Sequence, residues 1–167
     1  MQSLLDLLQY LLDGRFLALL GASFAVIFAG IGSAKAVGMV GEVVAGVVTE
    51  EPDKFGKAIL LQALPGTQGI YGLIIAFLIL FRIGLITGDL KELTTVQGLL
   101  FFAASLPIAI VGYKSAIAQG KTAAAGVGIV AKRPNEQAKA VTMAAMVETY
   151  AVLALLASVI MVFRISV

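Results

Sequence analysis

The sequence has no histidine, no cysteine and no tryptophan, and charged residues make up only 13% of its 167 positions. Lack of histidine and cysteine excludes imidazole acid–base chemistry, thiol nucleophiles, disulfides and zinc sites with N or S ligands. Scarcity of charge excludes an ordinary soluble surface, where about a quarter of residues are charged. The net charge is only +2 and the basic residues are scattered, which excludes a nucleic-acid footprint. A secretory leader is not expected either, because Asp6 and Asp13 are acidic where a basic segment belongs.

What is present is apolar. Hydrophobic residues make up 60% of the chain and mean hydropathy is +1.01. Three uncharged runs stand out: Phe16 to Ala34 with 19 residues, Ala58 to Phe81 with 24, and Leu93 to Tyr113 with 21. A fourth, Ala140 to Phe163, spans 24 residues and holds a single charge, Glu148. Runs of about 20 residues match a helix crossing a bilayer, where the backbone must satisfy its own polar groups. Short polar turns at Pro52 and Pro134 make each pair of helices antiparallel.

The expectation is an all-α integral membrane protein, with four transmembrane helices arranged as two tandem antiparallel hairpins. Residues 1–14 form an amphipathic lead-in, with Leu4, Leu5, Leu8, Leu11 and Leu12 opposite Asp6, Gln9 and Asp13. Residues 15–86 form the first hairpin, 87–95 an external connection, and 96–167 the second hairpin. Helices 1 and 3 run beyond the bilayer to the proline turns, since Lys35, Glu42, Lys114 and Lys121 lie in otherwise helical sequence. Eight of the twelve lysines and arginines lie on the side of the proline turns. Positive charge marks the cytoplasmic side, which places both turns in the cytoplasm and both termini outside the cell membrane.

The hairpins are copies of one another. Gly30, Ser33, Ala34, Gly38, Pro52, Lys57, Thr67, Phe81 and Arg82, among others, recur 82 positions later without a gap. An even number of spans per copy makes the repeats parallel, unlike the inverted halves of alternating-access transporters. Helices 1 and 3 each carry small residues at multiples of four: Gly30, Ala34 and Gly38 on one, Gly112, Ala116 and Gly120 on the other. Such ridges let backbones approach closely, and the pair points to a crowded inner ring of helices.

Glu148 is out of place by its depth. A carboxylate at the centre of a membrane helix costs on the order of 3 kcal/mol by insertion scales, so its presence asks for a function. Gln119 lies 15 residues before Pro134, Glu148 lies 14 after it, and Thr67 and Gln68 lie 15 and 16 after Pro52. All four therefore sit at one level, about 22 Å of helix from the turns. Pro65 donates no N–H to the Leu61 carbonyl, so a backbone oxygen near Leu64 is freed as a further ligand; a plain kink is the alternative reading. A proton needs only the carboxylate, whereas a hard cation that sheds water needs replacement oxygens. One carboxylate balances one positive charge, which favours Na⁺ over a divalent ion. A loaded, neutral site can face lipid and an empty, charged one cannot, as a rotor requires. Tyr71 and Tyr150 lie nearby, within reach of Glu148 or as space-filling rings, the latter favoured for Tyr150.

These residues resemble the proteolipid, or rotor-ring, subunit of V-type ATPases (the K or c subunit), in its bacterial sodium-translocating branch. Gly30-Ile-Gly-Ser-Ala-Lys35, Leu64-Pro-Gly-Thr-Gln-Gly-Ile-Tyr71, Ala118-Gln-Gly-Lys121 and Met146-Val-Glu-Thr-Tyr150 carry the likeness, which extends from about Gly21 to Phe163. The resemblance implies a homo-oligomeric ring in the lipid bilayer, turned through a central-stalk subunit on its cytoplasmic face. It also implies a stator a subunit (subunit I) whose arginine meets the emptied carboxylate. By position, the Na⁺ ligands are the Leu64 carbonyl, Thr67, Gln68, Gln119 and Glu148, with Tyr71 supporting Glu148. No covalent cofactor is implied, and ATP is hydrolysed on another chain. The counterpart of Glu148 in the first hairpin is Gly66, so the duplication keeps one carboxylate per four helices. Fewer ions per turn leave more free energy for each, as suits a pump.

Two nucleotide-like motifs are dismissed. Gly120-Lys-Thr122 lacks the first P-loop glycine, where Ser115 stands, and Gly126-Val-Gly128 lies inside a predicted helix. The rival functions are the same rotor carrying protons, which leaves the extra oxygens without purpose, and a small channel or structural membrane protein. A channel predicts polar residues along one face as a water path, whereas here they form one level. A structural protein leaves Glu148 unexplained.

Overall fold

The structure, a computed structural model, describes residues 2–167. Met1 and the side chains of Gln2, Ser3, Asp6 and Leu8, which belong to the expected lead-in, lie outside the described residues. Helix α1 (Gln2–Leu11) leaves Leu4, Leu5, Leu7, Tyr10 and Leu11 exposed. Asp13 then caps α2 (Gly14–Glu50), its carboxylate accepting the N–H groups of Arg15 at 2.8 Å and Phe16 at 3.0 Å. At 37 residues α2 is about 55 Å long and overruns the hydrocarbon core of about 30 Å, as Lys35 and Glu42 require.

A 3₁₀ turn at Pro52–Lys54 reverses the chain. The second span is interrupted: α3 (Phe55–Ala63) gives way to a 3₁₀ turn at Leu64–Gly66 before α4 (Thr67–Arg82). Pro65 removes one helical hydrogen bond and Gly66 is the next poorest helix former, so the α-helix yields there. Helix α5 (Thr95–Lys132) opens on a capping box, in which Thr94 Oγ1 accepts the Gln97 N–H and Gln97 Oε1 accepts the Thr94 N–H. It continues unbroken through Pro107 to the 3₁₀ turn Pro134–Glu136, and α6 (Gln137–Arg164) completes the second hairpin.

The connection between the hairpins, expected at 87–95, begins earlier than residue 87. Gly84 adopts a left-handed φ of 82°, with its N–H on the Phe81 carbonyl and the Leu85 N–H on that of Leu80. That closes α4 in a Schellman motif at Gly84, and the connection occupies 83–94. Thr95, expected in the connection, is already the first residue of α5.

Helices α2 and α5 lie side by side at very short range. A Cβ on Gly120 would stand 2.7 Å from the Ala36 Cβ and 3.0 Å from its Cα, so only glycine allows this approach. Helix α4 packs on α2 and α6 on α5, giving a four-helix bundle of two hairpins. Two apolar clusters fill it. One, toward the termini, includes Ala25, Ile75, Ile79, Phe101 and Ile108; the other, toward the proline turns, includes Val40, Leu61, Val127 and Ala144. Four buried polar residues, Ser33, Gln68, Ser115 and Gln119, occupy the gap between the clusters. Large apolar residues such as Ile31, Phe77, Leu153 and Leu156 cover the outside, as a bilayer-facing surface demands.

Candidate functional site

The polar layer is one connected chain of side chains. The Glu148 carboxylate on α6 is partly buried and both its oxygens are engaged. Oε1 accepts from the Tyr71 hydroxyl at 2.6 Å, and Oε2 accepts from the Gln119 amide at 3.2 Å. The Gln119 Oε1 in turn accepts from Gln68 Nε2 at 2.5 Å. Both glutamines have no exposed surface, so each requires its partner. The Thr67 hydroxyl lies 3.1 Å from the Leu64 carbonyl oxygen and 3.4 Å from Gln68 Oε1. Leu64, Thr67, Gln68, Tyr71, Gln119 and Glu148 are thus joined, from α4 and its preceding 3₁₀ turn across α5 to α6.

Local structure explains the convergence. The Thr67 hydroxyl reaches the carbonyl three residues before it, as Thr149 reaches Met146 in unbroken α6, and Tyr71 follows Thr67 one helical turn later on the same face of α4. One oxygen pair, Thr67 Oγ1 and Gln68 Oε1 at 3.4 Å, matches the edge of a coordination shell whose ligands lie at roughly 2.4 Å, in the range typical of hard cations. The sequence holds no histidine or cysteine, and no group of three or more Asp or Glu side chains gathers anywhere among the described residues. The site has the charge of one carboxylate among neutral oxygens. Tyr150, by contrast, is 66% exposed.

The two small-residue ridges are not equivalent, although they look alike in sequence. Gly112, Ala116 and Gly120 are buried within the bundle against α2. Gly30 and Gly38 have open space where a side chain would stand, and Ala34 is exposed. The difference follows from the packing: α2 meets α5 through Gly32 and Ala36, leaving its other small face uncovered.

Two contacts of the site are not evident from the sequence. The Ser33 hydroxyl accepts the N–H of Gly69 at 2.8 Å, and the Ser115 hydroxyl donates to the carbonyl of Val147 at 3.0 Å. Ser33 and Ser115 are themselves a repeated pair, 82 positions apart, which marks the positions but not the contacts.

A duplicated helical hairpin with a single membrane-level carboxylate held by oxygen-bearing side chains defines a proteolipid. The family profile for the ATP synthase C subunit matches twice, at residues 20–79 and 102–161, offset by the same 82 positions as the internal repeat. The chain is 52% identical over 151 residues to the V-type sodium ATPase subunit K of Enterococcus hirae, covering 90% of this chain and 93% of that one. It is 41% identical over 151 residues to the A-type ATP synthase subunit K of Methanocaldococcus jannaschii, covering 64% of that longer protein. Identity to the human V-type proton ATPase 16 kDa proteolipid is 28% over 120 residues, covering 72% of this chain and 74% of that one. The chain belongs to the ATP synthase C-subunit family, as a V-type ATPase proteolipid.

Proposed function

We propose that this chain is the rotor-ring subunit of a V-type ATPase and carries Na⁺ across the membrane while partner subunits hydrolyse ATP. The observation that carries the reading is the continuous oxygen-bearing network from Leu64 to Glu148 at the gap between two apolar clusters. The Leu64 carbonyl, Thr67 Oγ1, the Gln68 and Gln119 side-chain oxygens and the Glu148 carboxylate coordinate the ion, and Tyr71 fixes the carboxylate rotamer. Loading replaces one negative charge by a neutral site, which lowers the cost of exposing Glu148 to lipid. An emptied Glu148 is retained next to a cationic group on the stator. This asymmetry converts rotation into transport. The relative from Enterococcus hirae, named a sodium ATPase subunit, supports the choice of ion.

The ring assembles from copies of this chain, with the open face of Gly30, Ala34 and Gly38 available for close contact with a neighbour. The proline turns face the cytoplasm, where a central-stalk subunit seats. This chain has no catalytic role in ATP hydrolysis.

Carbodiimide modification of membranes containing the complex tests the reading, with the modified carboxyl identified by peptide mass spectrometry. Labelling falls on Glu148 and is suppressed by Na⁺. Labelling of Glu148 that ignores Na⁺ would indicate a proton rotor instead.

A further inference from the structure

We propose that Ser115 is a positioning residue for the ion site, acting through the backbone of α6 and not as a ligand. The inference rests on the reading of Glu148 as the ion-binding carboxylate. Ser115 and Gln119 are four residues apart on one face of α5, and they grip consecutive residues of α6. Ser115 donates its hydroxyl proton to the Val147 carbonyl at 3.0 Å, and Gln119 donates to the Glu148 carboxylate at 3.2 Å. The first contact fixes where the α6 backbone stands along α5. The second then finds the carboxylate in place. Ser115 is buried, with 7% exposure, so no water replaces it when the bond breaks.

The other hairpin has the same device with reversed polarity. Ser33, the counterpart of Ser115, accepts the N–H of Gly69, the residue after Gln68. Helix α4 restarts at Thr67 after the 3₁₀ turn, so its first amides lack full helical partners, and Ser33 satisfies one of them from α2. Each inner helix is therefore pinned to its outer helix beside a residue of the site. The site joins α4, α5 and α6, so a shift of α6 along α5 moves Glu148 relative to Gln68 and Thr67. Coordination of a small cation is sensitive to such shifts, whereas a proton on a carboxylate is not.

The test uses the intact complex in membranes and reads the Na⁺ concentration that half-protects Glu148 from carbodiimide. Ser115→Ala raises that concentration about three- to tenfold, the equivalent of one buried hydrogen bond. Ser158 serves as the control. It is fully buried on α6 and bonds across to α5, at the Ile108 N–H 3.3 Å away, but ten residues beyond Glu148. Ser158→Ala leaves half-protection unchanged. Ser115→Thr and Ser115→Val add equal bulk, so protection is stronger in the threonine variant, which keeps the hydroxyl; this comparison decides the matter if Ser115→Ala fails to assemble. Equal protection in Ser115→Ala and the native protein, equal shifts in Ser115→Ala and Ser158→Ala, or no difference between threonine and valine would each overturn the proposal. Labelling that is insensitive to Na⁺ in the native protein would instead overturn the functional reading, and this inference with it.

Discussion

Glu148 is held by two donors on opposite oxygens, and they differ in kind. The Tyr71 hydroxyl is the shorter contact, at 2.6 Å, and comes from a helix of the other hairpin. Hydrogen bonds to a charged acceptor contribute about 1.5–3 kcal/mol. Tyr71→Phe should therefore leave the fold intact and weaken Na⁺ protection by about ten- to a hundredfold, read from carbodiimide labelling across a Na⁺ series. The common level of Gln119, Glu148, Thr67 and Gln68 was legible in the sequence, because distance along two antiparallel helices can be counted from a shared turn. The direct bond between Gln68 and Gln119 was not, since helical rotation decides which of several residues at one depth face each other. Ser33 and Ser115 were legible as repeated positions but not as contacts. A serine on a small-residue helix looks like packing until its partner's backbone is placed.

At the scale of elements, two prolines behave differently. Pro65 turns the second span into α3, a 3₁₀ turn and α4, while Pro107 sits inside a continuous α5. The sequence reading drew on the missing N–H at Pro65 alone, and the local response to a proline depends on the next residue and its packing. Gly66 follows Pro65 and tolerates the distortion, whereas the fully buried Ile108 follows Pro107 and holds its helix. The 3₁₀ turn ends directly before Thr67, so it sets where α4 and its site residues Thr67, Gln68 and Tyr71 restart. Pro65→Ala should restore α-helical bonding and raise the melting temperature in detergent, yet weaken Na⁺ protection. A variant both more stable and equally well protected would remove the turn from the site's design. The end of α4 follows the same rule. Gly84 and Gly88 both take positive φ, but only Gly84 has a Cβ position blocked, by the Asp89 carbonyl oxygen. Which of two nearby glycines stops a helix is decided by the returning chain, which the local sequence does not display.

For the whole molecule, the fold class followed from charge scarcity and the spacing of apolar runs, the short turns at Pro52 and Pro134 supplied the hairpin pairing, and the repeat offset showed the hairpins to be copies. The packing order did not follow. The two small-residue ridges look alike in sequence, but one is consumed inside the bundle by α2 and the other remains open. Only the relative rotation of α2 and α5, set by Gly32 and Gly120, separates them. Orientation is testable because the chain has no cysteine of its own. Asn135→Cys should react with an impermeant thiol reagent only from the cytoplasmic side, and Asp89→Cys only from outside. The most direct test of the central claim is equilibrium binding of radioactive sodium to the purified ring. One saturable Na⁺ per chain is predicted, abolished in Glu148→Gln while the ring remains assembled. No saturable binding, or binding that survives Glu148→Gln, would contradict the account.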